Sequence, residues 1–330
     1  MLLYIETKAK SYPLTQTLIQ QFSQREVIEI QHYKNLFDKT ISYPTLPALM
    51  IAKQEPIAIL PTPAHYGYPG KSFFFKPSLN CVFDCSYCYL KGTFKNAFPV
   101  IFVNDEDIQT ALGQHICKLR EEGYTGQITF YASNYTDVLA IDHWTHFCER
   151  FFPFFAHYEN VLLEVRTKSA NIEGLKQLAM EQMRREAGKE VGKHVEIAFS
   201  LSPESLAQAY EPFTAPLQKK LEAIEELLQL GYRVGLRFLP LLPVEQYEKV
   251  YGTLIEQVKK AVTIEQIASI FIAPLIYNAR DLAVMKKKYA VAGKEAFPFW
   301  EGLQADEQGL MKMSASHYEC FAQLFRAGFP

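Results

Sequence analysis

The chain has 330 residues, 48% of them hydrophobic and 21% charged, with a formal net charge of −2. That apolar share supports a sizeable core and excludes wholesale disorder. The near-neutral balance excludes a protein that coats nucleic acid over its whole surface, while leaving room for a local basic groove.

No apolar run approaches the roughly 18 residues of a membrane span, so no membrane partner is expected. Met1-Leu-Leu-Tyr-Ile5 meets Glu6 at once, so no secretory leader can be drawn and a reducing cytoplasm is the expected compartment. The length admits one large α/β barrel or two domains.

Residues 2–5 read as a short strand, residues 13–22 as a helix with Leu14, Leu18, Ile19 and Phe22 at helical spacing, and residues 27–30 as a second strand. This β-α-β opening predicts a small N-terminal α/β unit, extended by residues 49–52 and 57–60. Pro61-Thr-Pro-Ala-His-Tyr-Gly-Tyr-Pro-Gly70 reads as a linker. The unit contains no G-x-G-x-x-G, and no dinucleotide site is assigned to it.

Ser72-Phe-Phe-Phe-Lys-Pro77 reads as an apolar strand leading to Cys81-Val-Phe-Asp-Cys85-Ser-Tyr-Cys88, where three of the six cysteines fall within eight residues. The C-x3-C-x2-C spacing lets three thiolates serve one soft-metal centre. An iron–sulfur cluster normally takes four thiolates, so three leave one iron free for a substrate or cofactor. Structural zinc is the bland alternative, but it is four-coordinate and usually built from two ligand pairs. Neither His65 nor His115 is paired at ligand spacing. Disulfides do not suit a chain of this size without a leader. The motif resembles that of radical S-adenosylmethionine (SAM) enzymes, which implies an open iron binding the amino and carboxylate groups of the methionine moiety.

Beyond the cysteines, strands and helices alternate. Strands are predicted over 127–131, 161–165, 195–199, 234–239 and 267–272, and helices over 105–122, 142–155, from Asn171 onward, and from Ala215-Pro-Leu217 to Gly231. With the strand beginning at Phe73 the series has six members, and such β-α repetition implies a parallel sheet with right-handed crossovers. Functional side chains in these folds lie at the carboxyl ends of the strands. Residues 81–88, 134–137, 166–168 and 200–202 fall there. A bound amino acid bearing a sulfonium needs an acceptor for its ammonium and a donor for its carboxylate. Asp137, with Thr136, suits the first task; Lys168 and Ser200 suit the second. Any one of them alone reads better as a loop cap or a solvated charge. Four after successive strands, beside the cysteine motif, read as a site.

The wider pattern resembles the spore photoproduct lyase family of radical SAM DNA-repair enzymes, from the N-terminus to about Ile276. The residues that carry it are Tyr12-Pro-Leu14, Cys85-Ser-Tyr-Cys-Tyr-Leu90, Val103-Asn-Asp-Glu-Asp-Ile108, Ile141-Asp-His143, Arg166-Thr-Lys168, Phe199-Ser200 and Tyr210-Glu-Pro-Phe-Thr-Ala-Pro-Leu217. The resemblance implies an α/β fold, a partial (β/α)6 radical SAM-type barrel with the small N-terminal unit. It implies a [4Fe–4S] cluster on Cys81, Cys85 and Cys88, and a 5′-deoxyadenosyl radical that takes hydrogen from a thymine-dimer lesion in DNA. It also implies that Tyr87 and Tyr89 serve hydrogen return to SAM, that Thr136, Asp137, Lys168 and Ser200 bind SAM, and that an electron donor such as flavodoxin or ferredoxin reduces the cluster. The expected division is an N-terminal unit over 1–68, the barrel over 69–276 and a C-terminal extension over 277–330 that contacts substrate.

Two departures from the family stand out. Where it places a cysteine as hydrogen donor, at the end of the second barrel strand, this chain aligns Asn134, whose N–H bond is too strong to serve as a thiol does. Cys117, Cys148 and Cys320 are the spare thiols, and Cys148 reads as core. The family's basic, aromatic hairpin is not recognisable after Ile276. Lys286-Lys-Lys-Tyr289 and Phe297-Pro-Phe-Trp300 stand there instead, suited either to phosphates and a stacked base or to a solvated charge run beside a hydrophobic anchor. Two other readings remain open: a radical SAM enzyme acting on RNA or a peptide, and a nucleic-acid-binding protein with a structural metal and no turnover.

Overall fold

The structure is a computed structural model that describes residues 1–38, 48–63, 70–184 and 191–329; part of the expected linker, residues 64–69, lies outside it. Two sheets, parallel except at one edge strand each, carry the chain. In the first, strands Val27–Ile30, Leu2–Glu6, Ala48–Ala52, Val100–Phe102 and Ser78–Leu79 lie side by side in that order. Ala48-Leu-Met-Ile-Ala52 is apolar throughout and buried throughout, as a strand covered on both faces requires. The last two strands flank the cysteine segment in sequence. The N-terminal sheet therefore grips that segment at both shoulders.

The second sheet contains the six predicted strands, here β1 (Lys71–Phe74), β2 (Ile128–Tyr131), β3 (Val161–Thr167), β4 (Val195–Ser200), β5 (Arg233–Leu241) and β6 (Ser269–Pro274). They run parallel in chain order and curl into a partial (β/α)6 barrel. Leu60–Pro61 pairs antiparallel with β1, so this piece of the expected N-terminal extension belongs to the barrel sheet instead. A proline is tolerated there because the strand is at an edge.

Alternate residues of each strand explain the layers. Leu163 and Val165 of β3, Ile197 and Phe199 of β4, and Val234, Leu236 and Phe238 of β5 pack with Leu175, Leu221, Ile224, Leu227, Leu254 and Val258 of the surrounding helices. The opposite face carries charge. Glu164 and Glu196 are register partners on β3 and β4, and such neighbouring buried carboxylates would repel. Arg237 bridges them, with Nη2 2.7 Å from Glu164 Oε2 and 2.8 Å from Glu196 Oε1. Gly235 leaves the space: a Cβ there would stand 2.5 Å from Glu196 Oε1 and 2.8 Å from Arg237 Nη1.

The helix expected over 142–155 is two helices, Asp142–Thr145 and Phe147–Phe155, because His146 takes a left-handed φ of 49°. Asp142 explains the break. Its buried carboxylate accepts the Cys148 N–H at 2.9 Å and so starts the second helix, whose Phe147, Cys148, Phe151, Phe152 and Phe155 enter the core.

After Ile276 the chain forms a three-stranded antiparallel sheet, Ile276–Asn278, Leu310–Lys312 and Gln304–Ala305, with helices Ala279–Val291 and Ala315–Gly328. A short hairpin thus exists where none was legible, but its turn is acidic. Asp306 accepts the N–H groups of Gln308 and Leu310, each at 2.9 Å, and pairs with Lys312 at 2.8 Å. Of the two readings of this stretch, the hydrophobic anchor is seen in Phe297 and Trp300, which are buried, and the solvated charge in Lys286 and Lys287, which are exposed; Lys288 and Tyr289 turn inward. Among the described residues no helix is long and apolar enough to cross a membrane.

Candidate active site

The cysteine loop is held from every side before any metal is considered. Asn80, at a left-handed φ of 61°, turns the chain out of Ser78–Leu79. Its amide donates to the carbonyls of Asn96 and Phe98 at 3.0 and 2.9 Å, closing the loop's two ends. Cys88 N–H reaches Cys85 O and Lys91 N–H reaches Cys88 O, both at 3.1 Å, leading into the short helix Leu90–Thr93. The Ser86 N–H donates to Tyr210 O at 2.8 Å. Tyr289 and Tyr277, from the C-terminal segment, donate their hydroxyls to the carbonyls of Ser86 and Tyr87 at 2.8 Å each. Lys288 completes the clamp by donating to the carbonyls of Lys91 and Phe94.

Burial pushes all three thiols of Cys81, Cys85 and Cys88 upward, that of Cys85 to about 12, and the thiols also repel one another's charge. Three desolvated thiols on one loop need a cationic centre to exist as thiolates. Among the described residues, no three Cys, His, Asp or Glu side chains close around a single ion position. Three thiols from one loop suit a cluster that takes one thiolate per iron better than a structural zinc, which takes four ligands.

Behind the loop stands Glu211, which follows the helix Glu204–Tyr210. Its Oε1 accepts from Ser202 Oγ at 2.6 Å, from Lys168 Nζ at 3.1 Å and from the Tyr87 hydroxyl. The Lys168 ammonium also lies 5.6 Å from the centroid of the Tyr87 ring. Burial opposes the charge on Glu211, but the Lys168 and Lys220 ammonium groups outweigh it and hold the carboxyl below its ordinary range. Its Oε2 is buried with no hydrogen-bond partner among the described residues. Lys220 is itself only 1% exposed. It donates to Ser200 O at 3.2 Å, and burial, then repulsion from Lys168, pushes it down to about 8.

Tyr87, Lys168 and Ser200, predicted from sequence, thus meet through Glu211 and Lys220. Asp137 sits differently. Both carboxylate oxygens accept from the Thr167 hydroxyl, at 2.9 and 3.0 Å; the N–H groups of Lys168 and Ala140 add bonds of 2.8 and 3.0 Å. This carboxylate ties the end of β3 to the segment after β2, and Thr136 is buried beside it. Tyr89 donates its hydroxyl to the carbonyl of Asn134, at the same strand end. Sequence reasoning assigned no role to Glu211, Lys220 or Thr167. Lys220 was detectable, since it falls at a core position of the stripe Leu217, Leu221, Ile224 and Leu227.

Among protein families, the model described as spore photoproduct lyase matches residues 1–292. The chain belongs to the spore photoproduct lyase family. Spore photoproduct lyases of Bacillus subtilis (strain 168) and Geobacillus sp. (strain Y412MC61) are 27% and 24% identical to it, over 79% and 78% of this chain and 73% of each relative. A solved spore photoproduct lyase double mutant with bound AdoMet and dinucleoside spore photoproduct matches with a TM-score of 0.80 at 18% identity, covering 99% of this chain and 94% of that one. A spore photoproduct lyase complexed with dinucleoside spore photoproduct gives the same values. The spore photoproduct lyase match runs past Ile276 and takes in the helix Ala279–Val291, whose side chains clamp the cysteine loop.

Proposed function

We propose that this protein is a radical SAM lyase that acts on a pyrimidine lesion of the spore photoproduct kind in DNA. The observation that carries the reading is the clamped Cys81–Cys85–Cys88 loop, joined through Tyr87 to Glu211 and Lys168 at the carboxyl ends of the barrel strands. When bound, a [4Fe–4S] cluster and SAM supply the electron transfer and the 5′-deoxyadenosyl radical.

The chain's own residues do the rest. Cys81, Cys85 and Cys88 would hold the cluster. Lys168 and Ser200 would hold the carboxylate of SAM, and Thr136 its ammonium. Asp137 contributes by fixing the Lys168 backbone. With an amide in place of a thiol at Asn134, we assign the hydrogen donor at that strand end to the phenol of Tyr89, whose O–H is hydrogen-bonded to the Asn134 carbonyl; it would give a hydrogen atom to the product radical and itself become a phenoxyl radical. Tyr87 is aligned by Glu211 on the other side. An electron donor of the flavodoxin or ferredoxin type completes the system, and free thiols serving such a centre suit a reducing cytoplasm.

The test uses anaerobically reconstituted protein reduced with dithionite. 5′-Deoxyadenosine forming with SAM, and vanishing in Cys85→Ala, is the expected result, together with conversion of spore photoproduct in DNA to two adjacent thymidines. Nucleoside formed without lesion reversal would point to an RNA or peptide substrate. A loaded cluster that yields no nucleoside would overturn the reading.

A further inference from the structure

Phe213 is the residue that packing does not explain. It is 80% exposed, whereas most of the chain's large apolar side chains are buried. Its backbone also lies in the left-handed region at φ +70°, a conformation that a bulky residue rarely adopts and that the surroundings must enforce. The enforcing contacts are visible. Before it, the Glu211 N–H donates to Ala207 O at 2.8 Å and the Glu211 side chain is bound to Tyr87, Lys168 and Ser202. After it, the Thr214 hydroxyl donates to Glu211 O at 2.9 Å and the Ala215 N–H donates to Lys168 O at 3.0 Å. Pro212 and Pro216 stiffen both flanks. The segment is thus pinned to the active-site residues on either side, and the ring between the pins is pushed outward.

A glycine would suit this backbone without strain, and a polar residue would suit the exposure. The chain instead holds an aromatic ring in water, two residues from the carboxylate that aligns Tyr87. We propose that Phe213 is a stacking platform for an unpaired base of the substrate strand. An exposed ring on a pinned backbone offers a flat apolar face, and base–aromatic stacking is how proteins hold bases that have left a duplex. The inference rests on the lesion-repair reading, because that reading supplies the nucleic acid.

The experiment compares the holoenzyme with Phe213→Ala, Phe213→Trp and Phe213→Gly. Two measurements are made: the Kd for a single-stranded oligothymidylate, and dithionite-driven turnover of an oligonucleotide containing spore photoproduct. Loss of stacking predicts that Ala and Gly raise Kd and KM by about tenfold or more with kcat little changed. Trp keeps both near wild type, and its fluorescence is quenched when the oligonucleotide binds. Gly additionally raises the thermal midpoint, by relieving the backbone, which separates a functional ring from a folding requirement.

Unchanged Kd and KM in Phe213→Ala overturn the proposal, whatever the change in kcat. If wild type binds the oligonucleotide in a Phe213-dependent way but does not reverse the lesion, the platform stands and the lesion reading falls. If wild type binds no oligonucleotide, both fall.

Discussion

Tyr87 and Glu211 stand 124 residues apart in the chain and meet when the tyrosine hydroxyl donates to Oε1 of the carboxylate. Ser202 and Lys168 donate to the same oxygen, so one buried carboxylate joins the cysteine loop to the ends of β3 and β4. Glu211→Gln keeps the shape but removes the charge that Lys168 answers. Leaving a buried ammonium poorly paired costs about 1–3 kcal/mol, which should lower the thermal midpoint. Misaligning Tyr87 and Lys168 should cut 5′-deoxyadenosine formation by about tenfold or more. Loss of stability at full activity would make Glu211 a packing residue only.

The spare cysteines provide an internal control for the cluster. Cys85→Ala should lose most bound iron and its visible absorption on reconstitution, since two thiolates of the loop cannot hold the cluster alone. Cys148 is fully buried among the helix aromatics, so Cys148→Ala should keep its iron and lose only about 1 kcal/mol of stability through the small cavity left behind. Iron content and thermal unfolding measured on both variants separate the roles.

Asp137 divides two readings of one residue. Residue type and strand-end position pointed to an ammonium acceptor. The structure gives its oxygens to Thr167, Lys168 and Ala140. Asp137→Asn should therefore destabilise the fold by about 1–3 kcal/mol while changing the Kd for SAM less than the fold loss suggests. A SAM Kd raised tenfold with stability intact would restore the acceptor role.

This contrast marks what the sequence could tell. The six strands and the cysteine loop were legible because their signals are local: apolar runs of strand length, and three thiols within eight residues. Glu211 lies within a legible motif yet carries no local sign of its role, because its partners come from positions 87, 168 and 202 and only the fold assembles them. The break at His146 was hidden by an unbroken apolar periodicity; a buried aspartate capping a second helix overrode it. Lys286-Lys-Lys-Tyr289 looked solvent-facing as a run of charge, yet Lys288 and Tyr289 point at carbonyls of the loop region. Composition cannot tell which side of a helix faces a clamp.

Gly92 tests that clamp. It lies in the short helix after the cysteines, and a Cβ there would stand 2.3 Å from the backbone oxygen of Asp281. Backbone cannot swing aside as a side-chain tip can. Gly92→Ala should push the helix Ala279–Val291 away at a cost of about 1–3 kcal/mol. Faster amide exchange over residues 279–291 and less iron retained after desalting are the expected signs. Normal exchange there would show that the clamp yields without consequence.

Lys220 predicts a pH dependence whose sign can be worked out. Burial, followed by the positive charge of Lys168, lowers its pKa from 10.5 to about 8, against the opposing pull of Glu211, Cys85 and Asp137. Between those values the unfolded chain holds a proton that the folded protein has released, so stability rises with pH across the window. The stabilisation is complete above about 10.5 and lost as the pH falls through about 8. Two and a half pH units correspond to about 3 kcal/mol. Lys220→Met removes the titrating group while filling similar space. The stability of wild type relative to this variant should therefore improve by about 3 kcal/mol between pH 7.5 and 10.5. Comparing the two proteins cancels the other lysines, tyrosines and thiols that titrate in the same range. Parallel stability curves across the window would mean that Lys220 stays charged in the fold, sustained by Glu211.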